Sequence, residues 1–279
     1  MVILIDGKAQ AAKIKAQVKE EASRLRRTPG LAVVLVGEDP ASQIYVRGKE
    51  RDCGECGIRS FAHRLPAETS QAELLALLER LNADESVDGV LVQLPLPGHL
   101  DQRQVLEAIR PDKDVDCFHP LNVGKMTLGR EGFRPCTPAG VMELLRAYDI
   151  PVRGRSCVIL GRSSLVGQPM STLLTQADGT VTLCHSRTEG LAEITRRADI
   201  LVSAVGRSGL VTGDMVKEGT AVIDVAMNRD ADGKLRGDVD FAAVSKRAAY
   251  ITPVPGGVGP MTRAMLMKSV LYAAGVHQG

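Results

Sequence analysis

Tyr45 and Lys49 stand four residues apart, so a helix would put a phenol and an amine on one face. Gln93 closes the apolar run Val90-Leu91-Val92, just before Leu94-Pro95-Leu96-Pro97, where a buried amide must find partners in the core or serve a ligand. Asp112, Asp114 and Asp116 surround Lys113; three carboxylates could hold a divalent cation or face a cleft. Cys53-x-x-Cys56 is the one close cysteine pair, and without a second short-spaced Cys or His pair it reads as two helix-borne thiols rather than a metal site. No metal is expected.

Gly161-Arg162-Ser163-Ser164-Leu165-Val166-Gly167 follows the apolar run 156–160 and opens a helical pattern, the context in which backbone N–H groups bind a dinucleotide phosphate. About 20 residues on, where an NAD site places Asp or Glu, the text reads Cys184-His185-Ser186-Arg187. A hydroxyl and a guanidinium without a carboxylate suit a 2′-phosphate, so NADP is the expected cofactor, with Arg162 assisting. Short-chain dehydrogenases also carry Y-x-x-x-K, but after their Gly-rich turn; here the pair precedes Gly161, and the order disfavours that family.

These residues need a scaffold. Helices are expected over 9–27, 41–56 and 70–81, the last opened by the capping box Ser70-Gln71-Ala72-Glu73. Strands are expected at 31–36, 58–65, 90–94, 156–160, 180–184, 200–204, 220–224 and 249–251, with a first strand from residue 1 and a closing helix over 261–274. Uninterrupted apolar strands between amphipathic helices imply mainly parallel sheets covered on both faces, an α/β fold. Residues 110–140 have no clear period, and 228–238 read as an exposed hairpin or loop.

At 279 residues the prior is two domains. Lys and Arg total 35 against 33 Asp and Glu, an excess too small to hold a phosphate polymer, and with four Tyr, four Phe and no Trp there is little to stack bases on. Nucleic acid is therefore not expected as a partner. No apolar run approaches the length of a membrane span, and six scattered cysteines suit a reducing compartment, so a soluble cytoplasmic protein is expected.

Assembled, these segments resemble the bifunctional methylenetetrahydrofolate dehydrogenase/methenyltetrahydrofolate cyclohydrolase family from near residue 1 to the closing helix. The resemblance runs through Val36-Gly37, Ala41-Ser42, Tyr45-Val46-x-x-Lys49, Val92-Gln93-Leu94-Pro95-Leu96-Pro97, Lys113-Asp114-Val115-Asp116 and Pro135-Cys136-Thr137-Pro138-x-Gly140. It continues through Gly161-Arg162-Ser163, Val166-Gly167-x-Pro169, Cys184-His185-Ser186, Gly237-Asp238-Val239 and the long block 251–262. Departures are Cys117 where Gly commonly follows, Ala226-Met227 where Gly-Ile is common, and Ser208 where Pro often stands.

The resemblance implies a catalytic folate domain over 1–139, rejoined by the helix 261–279, a Rossmann-like NADP domain over 140–260, a folate cleft between them and a homodimer. It implies that Lys49 and Tyr45 are catalytic, that Gln93 tunes Lys49, and that Asp116 grips the pterin. Gly161, Arg162, Ser163, Ser186, Arg187 and Met227 would hold NADP, with Pro255 and Gly256 in the substrate site. The implied reactions are oxidation of 5,10-methylenetetrahydrofolate and hydrolysis of the methenyl product to 10-formyltetrahydrofolate, within one-carbon metabolism and purine biosynthesis. The alternatives are a monofunctional NAD-dependent dehydrogenase, a non-catalytic folate- and nucleotide-binding protein, and a Rossmann oxidoreductase acting on another substrate.

Overall fold

The computed structural model describes residues 2–230 and 233–278. In chain order its elements are β1 (Ile3–Leu4), α1 (Gly7–Ala22), β2 (Gly30–Val36), α2 (Pro40–Cys56), β3 (Arg59–Leu65), α3 (Gln71–Ala83) and β4 (Gly89–Val92). Next come α4 (Gln102–Glu107), α5 (Pro120–Thr127), α6 (Cys136–Ala147), β5 (Ser156–Leu160), α7 (Gly167–Gln176), β6 (Thr180–Cys184), α8 (Leu191–Thr195), β7 (Ile200–Ser203) and β8 (Ala221–Asp224). The hairpin β9 (Asn228–Arg229) and β10 (Leu235–Arg236), then α9 (Phe241–Val244), β11 (Tyr250–Ile251) and α10 (Val258–Gln278), complete the chain.

Two compact units result. One comprises Ala12–Cys136 with Arg263–Gly279, the other Met1–Ala11 with Thr137–Thr262. The first is built on a parallel sheet of order β3-β2-β4. Every residue of the central strand β2 is buried, as expected of a strand paired on both edges and covered on both faces. Val34, Val36, Leu74, Leu78, Val90 and Val105 belong to its core, each worth roughly 1.5–3 kcal/mol when fully buried. The starts of α2 and α3 follow from side-chain caps. Asp39 accepts from the Ser42 N–H at 2.7 Å before Pro40, and Ser70 and Glu73 form the expected reciprocal box.

The second unit carries a parallel sheet of order β1-β11-β8-β7-β5-β6. The order reverses at β5, where the chain steps outward to β6 and then across to β7, so a crevice opens at the carboxyl ends of β5 and β7.

The structure departs from several expectations. β1 lies in the larger sheet, pairing Ile3 with Tyr250 and Leu4 with Ile251, so the first residues join the unit containing 137–262 rather than the expected 1–139 domain. Residues 110–140 contain α5, opened by the His119 ring accepting from the Leu121 N–H at 3.1 Å with Pro120 behind it. α10 starts at Val258, before the expected 261. Within 228–238, Asn228–Arg229 and Leu235–Arg236 pair as an antiparallel hairpin, residues 231 and 232 lie outside the described residues, and Gly237 and Asp238 are buried rather than exposed.

Candidate active site

α2 presents Tyr45 and Lys49 on one face, as their spacing requires. Gly48 lies between them because the Arg263 guanidinium from α10 packs against its backbone; a Cβ there would lie 2.4 Å from Arg263 Nη1. Arg263 is held by the buried Asp52 carboxylate, with Nε at 3.2 Å from Oδ2, and Lys15 holds the other oxygen at 2.9 Å.

Gln93 follows β4, its backbone N–H bound to the Val34 carbonyl at 2.8 Å. Its side-chain Nε2 donates to the Leu94 carbonyl at 2.7 Å, which turns Oε1 toward Lys49, whose Nζ donates to it at 2.9 Å. Burial pushes the Lys49 ammonium below its ordinary pKa, the Arg263 cation pushes the same way, and the Asp116 carboxylate opposes both. Asp116 hydrogen-bonds the Cys136 thiol, which burial holds far above the usual thiol range; Cys53 is likewise pushed up to about 12. Both thiols beside Lys49 are therefore protonated and poorly nucleophilic.

The rest of the Lys113–Asp116 run is scaffold. Lys113 Nζ donates to the carbonyls of Leu81 and Asp84 at 3.1 and 2.7 Å, closing the end of α3. Asp114 accepts from the N–H groups of Phe118 and His119 and from Asn122 Nδ2 at 2.9–3.1 Å, shaping the loop after Asp116. Cys117 takes φ of 60°, the left-handed region that a Cβ disfavours and that Gly enters freely. Among the described residues no group of three His, Cys, Asp or Glu is arranged to hold a metal ion.

In the other unit a cavity of about 470 Å³ opens at the crevice beside β5 and β7. Gly161, Arg162 and Ser163 line it from the end of β5, His185, Ser186 and Thr188 from the end of β6, and Val205 and Arg207 from the end of β7. Gly161, at φ +103°, allows the β5 turn to touch β7; a Cβ would lie 2.4 Å from the Ala204 carbonyl oxygen. A close-approach glycine, two guanidiniums, hydroxyls and the start of α7 fit a phosphorylated dinucleotide.

Not every candidate lines this cavity. Arg187 lies outside the lining, its N–H donating to His185 Nδ1 at 3.2 Å. Met227 lies beside Gly259, where a Cβ would stand 3.5 Å from the Met227 sulfur. Pro255 and Gly256 form the turn before α10, and the Gly256 carbonyl accepts from the Lys8 N–H at 3.1 Å. Arg207 was not foreseen; nothing in Gly206-Arg207-Ser208 distinguishes it from a solvated surface turn. Arg263 was equally hidden, within the helical run after Met261-Thr262.

A larger cavity, about 760 Å³, lies along β3 and α3, but none of the candidate residues lines it. No helix among the described residues is long and apolar enough to cross a membrane.

Residues 5–116 match the family model for the tetrahydrofolate dehydrogenase/cyclohydrolase catalytic domain, and residues 135–278 match that for its NAD(P)-binding domain. Bifunctional protein FolD of Desulfovibrio desulfuricans is 59% identical over 280 residues, covering 98% of both chains. Among solved structures, the bifunctional FolD enzyme of Campylobacter jejuni is similar at a TM-score of 0.97 and 52% identity, covering 99% of each chain. Trypanosoma brucei N5,N10-methylenetetrahydrofolate dehydrogenase-cyclohydrolase, complexed with NADP cofactor and inhibitor, is similar at 0.95 and 43%, covering 99% of this chain and 98% of that one. With both of its family models matched in order and full-length relatives above half identity, the chain belongs to the tetrahydrofolate dehydrogenase/cyclohydrolase family.

Proposed function

We infer that the chain oxidises 5,10-methylenetetrahydrofolate to the methenyl form with NADP and hydrolyses that product to 10-formyltetrahydrofolate. The observation that carries this reading is the Lys49–Gln93 pair, a lysine of lowered basicity with one N–H already committed at 2.9 Å.

Loss of a hydride from the methylene bridge leaves a cation shared by two folate nitrogens, so the first step needs position and exclusion of water more than an acid. NADP, when bound, supplies the hydride acceptor. Gly161 and Ser163 would hold its pyrophosphate near the start of α7, and Arg162, Ser186 and Arg187 its 2′-phosphate, with Met227 toward the nicotinamide. For the second step Lys49, as the neutral amine, takes a proton from the water that attacks the cationic carbon. The adduct then collapses to the formyl group as the carbon–N5 bond breaks; N5 keeps one proton and the other is released to solvent. Gln93 Oε1 fixes one amine N–H and so directs the lone pair. Tyr45 stacks on the folate ring, Asp116 accepts from the amino edge of the pterin, and Pro255 and Gly256 complete the substrate site. The protein acts in the cytoplasm as a homodimer and supplies formyl donors for purine biosynthesis.

Supplying methylenetetrahydrofolate with NADP or NAD and identifying the folate product tests the reading. Expected are 10-formyl product and a catalytic efficiency at least tenfold higher with NADP, the worth of about one charge-assisted hydrogen bond. A clear NAD preference, or accumulation of the methenyl form as end product, would overturn it.

A further inference from the structure

Asp238 lies wholly within the protein, outside the lining of the β5–β7 cavity, yet its carboxylate gathers the loop that forms one wall of that cavity. Oδ2 accepts from Ser203 Oγ at 2.9 Å and from the N–H groups of Val205 and Gly206 at 2.8 and 3.3 Å. Oδ1 accepts from the Arg207 N–H at 2.6 Å and from Asn228 Nδ2 at 3.1 Å. Two of the residues so held, Val205 and Arg207, line the cavity.

The carboxylate is itself placed by a second one. Asp224, at the end of β8, accepts from the N–H groups of Asp238 and Val239 at 3.0 and 2.9 Å. Gly237 makes the close packing possible, since a Cβ there would lie 1.8 Å from Asp224 Oδ2. The chain Asp224–Asp238–loop thus ties the end of one central strand, and through Asn228 the hairpin, to the wall after its neighbour. Five donors converging on one buried carboxylate specify a loop shape, not merely burial of one side chain.

We propose that Asp238 is a positioning residue for the NADP site: it holds residues 205–207 in the shape that receives the cofactor before the cofactor arrives. Preorganisation of this kind lowers the ordering cost of binding and leaves the chemistry at Lys49 alone. The inference rests on reading the cavity as the NADP site.

Asp238→Asn in the full chain tests it. The amide turns an NH2 toward one set of N–H donors, so part of the cluster must open. Expected are a roughly tenfold or larger rise in the NADP dissociation constant by calorimetry and in KM for NADP, the loss of one or more hydrogen bonds to a charged group. The KM for folate and the hydrolysis of added methenyltetrahydrofolate, which needs no cofactor, stay within about twofold of wild type. Amide exchange quickens at 205–207 but not in β5 or β8. Unchanged NADP affinity overturns the proposal, as does a loss accompanied by faster exchange throughout the sheet. Should Asp238→Asn not fold, Asn228→Ala and Ser203→Ala each remove one donor and keep the carboxylate. A several-fold weaker NADP affinity in both supports the proposal, and wild-type affinity in both overturns it. Failure of the wild-type chain to bind NADP would instead remove the underlying reading.

Discussion

As the base of the proposed hydrolysis, Lys49 would act only in its neutral form, so the groups that set its charge would also set the pH dependence. Burial and the Arg263 cation favour the neutral amine, and the Asp116 carboxylate favours the ammonium. Hydrolysis of methenyltetrahydrofolate should rise with pH through the lowered pKa of Lys49 and then level. In Arg263→Met the opposing cation is gone, the ammonium is easier to hold, and the rising limb moves to higher pH. A pH–rate profile at saturating substrate checks this; a limb that stays in place or moves to lower pH would refute the role given to Arg263. Tyr45, Lys49, Gln93 and Asp116 are candidates in the sequence through residue type and block order, and the structure brings Lys49 within 2.9 Å of Gln93. Arg263 is no such candidate, because its effect comes from Asp52 and Gly48, and no spacing within the chain joins α10 to α2.

At the scale of elements, the apolar runs that became β2, β5, β7 and β8 could be read directly, since strands paired on both edges carry no solvent-facing alternation. Short elements could not. β1 pairs through two residues, too few to state which sheet they enter, and α5 is eight residues in a stretch rich in Pro, Gly and Asp. The β5 turn was legible as a glycine motif, and its stringency follows from the 2.4 Å approach to Ala204. Gly161→Ala should cost roughly 1–3 kcal/mol through strain at positive φ, with added cost from the contact, and should weaken NADP binding. Hydrolysis of added methenyl substrate should persist. Urea unfolding with NADP calorimetry reads both effects, and an Ala variant of wild-type stability and affinity would contradict the close approach.

Across the whole molecule, the two-domain arrangement was readable from the return of the strand–helix rhythm after residue 140, but its boundaries were not. Sequence order groups residues 1–11 with the first domain, whereas the pairing of β1 with β11 ties them to the unit containing 137–262. The expected homodimer predicts twice the 29.8 kDa chain mass in sedimentation at micromolar concentration, and a monomer there would refute it. The decisive measurement joins both reactions in one cuvette: Lys49→Met supplied with methylenetetrahydrofolate and NADP, with NADPH and methenyl absorbance followed together. Loss of a general base should slow hydrolysis by about 10²–10⁴-fold, so NADPH forms while the methenyl intermediate accumulates. Wild-type release of 10-formyl product from that variant would contradict the assignment of Lys49 as the base.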